Sequence, residues 1–318
     1  MKPWEVSAPG ALTTVQDLGR EGWRHMGVAR AGALDPYAAA LANQLLGNDT
    51  DAAVLEMTLH GPTLHLPQPA RIAITGADVM ATSNGVSLPG YRPVVVPAGE
   101  LKFAGIRAGI RAWLAVAGGF DVPLLMGSRS TDLRGGFGGM EGRALRAGDR
   151  LAVNDSNTAT EITTPRIAAW WVGKDDDYSD GPRPIRFVAS PHPLASALAA
   201  QTWQASSNSN RQGIRLQGAP LSGAGHHGVS EPVAVGTIQL PPDGQPIVLM
   251  ADAQTVGGYA RLGHVVVADL PRLAQAGPGA MLAFKSVGNE EAREIAREWL
   301  HRHARTAIAI ERQLARSS

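Results

Sequence analysis

The sequence predicts a mainly β protein built as two domains, with a few short helices and a helix at its C-terminus. Three observations carry this. Gly (37) and Pro (22) are spread evenly between short apolar runs, the pattern of many short strands joined by tight turns. At 318 residues the chain exceeds the ~100–200 residues of one typical domain. A turn that feeds a strand recurs as Ala98-Gly99-Glu100-x-Lys102, Ala147-Gly148-Asp149-x-Leu151 and Pro278-Gly279-x-x-Leu282, an echo that points to two related β barrels. The polar, strand-poor stretch 154–165 is the expected linker, so the domains are expected over 1–158 and 159–318.

In order along the chain, residues 3–15 read as an opening strand and turn, followed by a polar, Gly-studded loop from Thr13 to Val28. Asp35-Pro36 offers an N-cap and a first-turn proline. Ala38, Leu41, Ala42, Leu45 and Leu46 then lie on one face of a helix that Gly47-Asn48 closes. Strands are expected at Val54–Leu59, Thr63–Leu66, Arg71–Thr75, Arg92–Val96, Leu101–Ala104, Arg111–Val116 and Arg150–Val153. Beyond the linker come a strand at Ile185–Ala189, a short helix from Pro193 to Trp203, and a polar loop Ser206–Arg211. Strands at Gly213–Leu216 and Met281–Lys285 flank a helical turn at Leu270–Gln275, and residues 289–315 form an amphipathic helix, a packing element or an oligomer contact.

The stretch richest in functional signals is Gly236–Leu270. Two apolar runs, Gly236–Leu240 and Pro246–Met250, flank the turn Pro241-Pro242-Asp243-Gly244 and read as a hairpin. The second run delivers Asp252, Gln254, Thr255, Gly257, Gly258 and Tyr259 to a strand end, where polar groups stand still and glycines admit a ligand to bare backbone N–H groups.

Composition removes several function classes. A net charge of +1 gives no reason to expect a nucleic-acid or anionic-membrane partner. Cysteine is absent, which excludes disulfides, thiolate nucleophiles and zinc–thiolate or iron–sulfur sites. MKPWEVSAPG lacks the apolar core of a signal peptide, and no run approaches ~20 apolar residues, so a soluble, cytoplasmic protein is expected. None of the nine histidines, including His226-His227, sits at a zinc-binding spacing beside carboxylates, and no metal is expected in this chain. There is no P-loop motif and no G-x-S-x-G. Gly135-Gly136-Phe137-Gly138-Gly139 lies among β elements and reads as a lid or strained turn rather than a phosphate cradle. No Met-Lys-Met biotin-attachment sequence occurs, so any biotin must ride on another polypeptide. What remains is a set of loops pairing guanidinium or amide groups with carboxylates: Asp17 with Arg20, Arg129 with Asp132, Arg211 with Glu231, and Asp252 with Gln254.

The motifs TTVQDLGR with a following GV, GALDPYAAALANQLLGN, LEMTLHGP, LAVAGGFDVP, GSRSTD, GTIQLPPDGQPIVLMADAQTVGGY and DLPRLAQAGPG run in order over about residues 3–285. Together they resemble the allophanate-hydrolase-subunit-2-like, biotin-dependent carboxyltransferase family. Two segments depart from the family pattern: Val256 and Ala260 in TVGGYA, and Gln212 in Asn210-Arg211-Gln212-Gly213.

The resemblance implies two cyclophilin-like β-barrel domains. It also implies work as the C component of an ATP-dependent 5-oxoprolinase, beside an A component and a Kip inhibitor-like B component, opening the lactam 5-oxoproline to L-glutamate. Two alternatives come with it: transfer of CO2 from carboxybiotin, held on a separate carrier, to urea or a related amide, and non-enzymatic binding of a Kip inhibitor-like protein. A lactam or urea carbonyl is a poor electrophile, so the site needs cations or N–H donors at an oxygen and a carboxylate that handles a proton. Arg129 and Arg211 are therefore expected to hold an anionic group, and Asp252, Glu231 or Asp132 the proton. Gln254 and the Gly257-Gly258 amides are expected at the carbonyl oxygen, with Ser130, Asn210, Gln239, Thr255 and Tyr259 lining the substrate. Replacing Arg129, Arg211 or Asp252 is expected to abolish activity with little change in thermal unfolding.

Overall fold

The computed structural model describes residues 2–154, 161–173, 183–221 and 229–317. The chain divides into two compact units. One comprises Met1–Arg20, Ala31–Lys174 and Ala304–Ser318, the other Glu21–Arg30 and Asp175–His303. The expected cut at 158/159 and the pair His226-His227 fall outside the described residues.

The first unit is a ten-stranded sheet whose spine is the antiparallel pair Ala70–Ser83 and Gly99–Val116. Both strands are longer than the separate short strands read from the sequence. Arg71–Thr75 continues to Ser83, and Leu101–Ala104 and Arg111–Val116 are one strand. The intervening glycines look like stops but sit in a ladder whose register shifts between Gly76 and Asp78, between Asp78 and Val79, and between Val79 and Ala81. Gly76 makes the bend possible. Its φ is 86°, and a Cβ there would lie 2.6 Å from the Trp113 ring.

The helix after Asp35 forms as expected, over Pro36–Gln44, with the Asp35 carboxylate accepting from Ala38 N at 3.0 Å. Its Leu41 and Ala42 are buried, and Thr75 Oγ1 donates to the Ala38 carbonyl at 2.7 Å, tying helix to sheet. Strand Leu12–Gln16 pairs with Val54–Thr58, which pairs in turn with the Arg111–Leu114 part of the spine. That ladder fixes where residue 17 emerges.

The second unit holds a closed barrel of seven strands: Ile185–Ala189, Ala260–Val265, Thr237–Leu240, Ile247–Leu249, Gly213–Gln217, Thr202–Ala205 and Met281–Ser286. Parallel pairing of Ile185 with Phe284 closes it, and closure leaves no edge strand. The buried rings of Phe187 and Phe284 meet edge to face at 6.2 Å.

The predicted hairpin is present, with Ile238 opposite Val248 and Gly244 N donating to the Pro241 carbonyl across the turn at 3.0 Å. The expected helix to Trp203 stops earlier. A 3-10 turn covers Ser196–Ala200, and Thr202–Ala205 is strand, because pairing with Met281–Ala283 places Trp203 in the core with its Nε1 donating to the Leu198 carbonyl at 2.9 Å. The terminal helix runs Asn289–Ser317, opened by Glu290 and Glu291 where the helix dipole favours acids. Its Ala292, Ile295 and Trp299 pack on Val266, Ala268 and Val287. The protein is thus mainly β, with a closed barrel, few helices and a C-terminal helix. No described helix is long and apolar enough to cross a membrane.

Candidate functional site

In the first unit the polar signals converge on Asp17, at the end of strand Leu12–Gln16 and only 5% exposed. Its Oδ1 accepts from Ser128 Oγ at 2.7 Å, from Gly19 N at 2.8 Å and from Ser130 Oγ. Its Oδ2 accepts from Arg129 N at 2.5 Å. Burying a carboxylate is tolerable only with such a complement of donors. Arg20 donates to the Ser130 carbonyl at 2.5 Å and lies 4.8 Å over the Phe137 ring. Thr131 N and Oγ1 both donate to the Val15 carbonyl.

The TTVQDLGR and GSRSTD segments therefore strap each other down. The pairings read from the sequence differ from those observed: Asp17 is met by hydroxyls and backbone, and Asp132 accepts from Arg134 N at 3.1 Å and Gly135 N at 2.8 Å. Arg129 Nε is buried and has no hydrogen-bond partner among the described residues. The Gly135–Gly139 run closes against Ser130 and Thr131. Cβ atoms at Gly138 and Gly139 would overlap the Ser130 carbonyl and Thr131 Oγ1, so the run is a close-packed turn that requires glycine at both positions.

In the second unit Arg211 and Asp252 form a buried two-pronged pair. Nε lies 2.8 Å from Oδ2 and Nη2 2.9 Å from Oδ1, with the side chains 4% and 2% exposed. Asp252 N also donates to the Arg211 carbonyl at 3.0 Å, so the loop carrying Gln254 and Thr255 is fixed at its root. Glu231, expected to partner Arg211, instead pairs with Arg261. Asn210 Oδ1 accepts from Gln212 N at 2.8 Å and shapes the turn before Arg211.

Gln239 is buried in its strand and accepts from Gln254 Nε2 at 3.4 Å, a long contact. A Cβ at Gly257 would overlap Gln239 Nε2, so glycine there lets the amide approach the backbone. Glu231 and Pro232 pair with Gly257 and Val256, which brings Glu231, Gln239, Gln254 and Gly257 together, with Gly258 and Tyr259 next along the chain and partly open.

Beside this loop lies a hollow of about 660 Å³ whose polar lining comes from Arg24, His25, Thr237, Thr255, Arg261 and His264. Only Thr255 of these belongs to the residues picked from the sequence. Arg24 reaches it from a 3-10 turn at Arg24–Met26 and donates to the Val233 carbonyl. Desolvation, reinforced by Arg261, lowers the His264 pKa, which favours the neutral ring. A larger hollow of about 980 Å³ in the first unit, by Asp78, Tyr91, Arg107 and Trp171, contains none of the predicted residues. Among the described residues no group of three or more His, Asp or Glu is placed to hold a metal ion.

Comparison with known proteins gives this geometry its relatives. The chain is 40% identical over 291 residues to the C component of 5-oxoprolinase from Escherichia coli K12, covering 91% of this chain and 92% of the relative. It is 31% identical to the urea amidolyase of Saccharomyces cerevisiae over 92% of this chain, but this spans only 17% of that protein. The crystal structure of the Kluyveromyces lactis urea carboxylase superposes on 95% of this chain with a TM-score of 0.83 and 29% identity, over 29% of the larger chain. The family described as "Carboxyltransferase domain, subdomain A and B" matches residues 26–286, and the chain belongs to that family.

Proposed function

We propose that the chain is the C component of an ATP-dependent 5-oxoprolinase and acts with the A and B components to open 5-oxoproline to L-glutamate. One observation carries the reading. The similarity to the 5-oxoprolinase C component extends over nine-tenths of both proteins, whereas the urea amidolyase match occupies a small part of a much longer chain.

Ring opening breaks the lactam C–N bond, adding a hydroxyl to the carbonyl carbon and a proton to the nitrogen. ATP supplies the activation of the carbonyl at the level of the complex, and no step on this chain is assigned to it. In this reading the Gln254 amide and the Gly257-Gly258 backbone N–H groups polarise the carbonyl oxygen. Arg129, whose buried Nε has no hydrogen-bond partner among the described residues, belongs to the first unit and is assigned no step in this set. Glu231, solvent-accessible beside Gly257, handles the proton. Arg211 and Asp252 position the Gln254–Thr255 loop, since a carboxylate locked in a two-pronged buried pair is poorly placed to carry protons.

The test is glutamate release from 5-oxoproline and ATP by the chain co-purified with its two partner components; absence of release from an intact complex overturns the reading. The likeness to urea carboxylase supports a second reading, carboxyl transfer from biotin on a separate polypeptide to a urea-like nitrogen. Inhibition of the reconstituted activity by avidin selects that reading over the first.

A further inference from the structure

We infer that the hollow beside Thr255 is a carboxylate subsite, and that it takes the ring carboxylate of an amino-acid-derived lactam with Arg24 as its principal cation. The ligand's identity rests on the 5-oxoprolinase reading; the anion preference rests on the hollow itself. Its polar lining is dominated by groups that can donate. Arg24 is partly buried, makes one hydrogen bond, to a neutral carbonyl, and meets no carboxylate among the described residues. A guanidinium in that state attracts an anion, and its planar fork suits the two oxygens of a carboxylate.

The second guanidinium, Arg261, is matched by Glu231, so the pair adds little net charge. Thr255 is 8% exposed, and its hydroxyl has no protein partner among the described residues. Thr237 Oγ1 accepts from Ala234 N at 3.1 Å, which leaves its hydrogen free to donate. The environment of His264 favours the neutral ring, which can donate one N–H without adding charge. One unmatched cation with neutral donors suits a monoanion better than a phosphate dianion. The volume lies within the ~300–1,000 Å³ of ordinary small-molecule pockets.

Thr255 also follows Gln254 directly, so a group that holds the carboxylate and the amide assigned to the lactam carbonyl sit on adjacent residues. Urea has no carboxylate to place here. The subsite thus selects between the two amide-like substrates that the family comparison leaves in play.

The experiment uses the full chain and the co-purified complex. Binding of L-5-oxoproline is compared with binding of 2-pyrrolidinone, the same lactam without its carboxylate, by ligand-observed NMR, with sodium acetate as the simplest competitor. The expected result is at least tenfold weaker binding of 2-pyrrolidinone and displacement of 5-oxoproline by acetate. In the complex, Arg24→Gln raises KM for 5-oxoproline at least tenfold with kcat changed far less, Arg24→Lys lies between, and Thr255→Val raises KM several-fold. Melting temperatures stay near that of the parent, which separates binding from folding.

An active complex whose KM is the same with Arg24→Gln overturns the subsite and leaves the 5-oxoprolinase reading standing. A complex inert toward 5-oxoproline, in which this chain still binds acetate in an Arg24-dependent way, overturns that reading and leaves the anion site standing. Equal binding of the two lactams, or no Arg24 dependence in either assay, removes the subsite.

Discussion

Removing either partner of the Arg211–Asp252 pair takes a two-pronged bond from a charge in a nearly dry place. Both side chains are almost fully buried, and two charge-assisted hydrogen bonds of 2.8 and 2.9 Å join them. Breaking such a pair from one side costs about 3–5 kcal/mol, because the survivor keeps its desolvation penalty and loses its two charge-assisted bonds. At roughly 2–4 °C per kcal/mol for a protein region of this size, Asp252→Ala lowers the melting temperature by about 6–20 °C.

Replacing both partners with apolar residues, Arg211→Met with Asp252→Leu, removes both charges and recovers most of the loss. Thermal denaturation of the parent, the two single variants and the double variant gives the coupling energy directly. This reverses the expectation drawn from sequence, that thermal unfolding would hardly change, because the residues prove to be each other's partners. Single variants that melt within about 1 °C of the parent, or losses that simply add in the double variant, would refute the reasoning.

Other perturbations have equally definite outcomes. The Asp149 pKa lies below its ordinary 3.8, chiefly because Arg143 bonds its carboxylate at 2.7 and 2.9 Å. A depressed carboxyl stabilises the fold above its unfolded pKa and loses that contribution as pH falls through the folded one, so Asp149→Asn should flatten the stability profile below about pH 4. Gly142→Ala, at φ 71° with a Cβ that would sit on the Gly136–Phe137 backbone, should destabilise by more than about 2 kcal/mol in a denaturant titration. Gly257→Ala meets only the end of the flexible Gln239 side chain, so it should change stability by less than about 1 kcal/mol while reducing turnover of the complex. Ser130→Ala deprives the buried Asp17 of a donor and should cost about 1–3 kcal/mol, read from chemical denaturation.

Local signals are readable in the sequence where short-range chemistry determines structure. Asp35-Pro36 marks a helix start because the cap and the amide it bonds are three residues apart. Pro241–Gly244 marks a hairpin because the turn alone sets the register. The long strands of the first unit are not readable as such. Gly76, Gly105 and Gly109 interrupt the apolar pattern as strand ends would, and only the partner strand distinguishes a bulge from a stop. Trp203 reads as the end of a helix because its pairing with Leu282 across the barrel has no local signature.

In the candidate site the same division holds. Asp252, Gln254 and Thr255 stand out as polar groups at a strand end, but Arg24 comes from 209 residues before Val233, on an isolated turn with no periodic pattern. Glu231 pairs with an arginine other than the one expected because its short strand is held by Val256–Gly257, a pairing that has no local signature.

The segments that identify the family most readily are largely occupied with holding one another. Asp17, Ser128, Ser130 and Thr131 spend their polar groups on mutual bonds, as buried polar groups must. A group so committed has no capacity left for a ligand, so these motifs preserve a scaffold and are compatible with more than one substrate. Relatives named for 5-oxoproline and for urea both align along nearly the whole chain, which is what a shared scaffold requires. Discrimination must then come from side chains that the scaffold does not consume. Arg24 and His264 meet that condition: they line the hollow and lie outside every motif that carries the resemblance. If substrate choice is written there, exchanging Arg24 for a neutral residue should narrow the preference for 5-oxoproline over 2-pyrrolidinone without unfolding the barrel. Exchange of Ser128, Ser130 or Thr131 in the GSRSTD segment should instead lower stability and spare that preference.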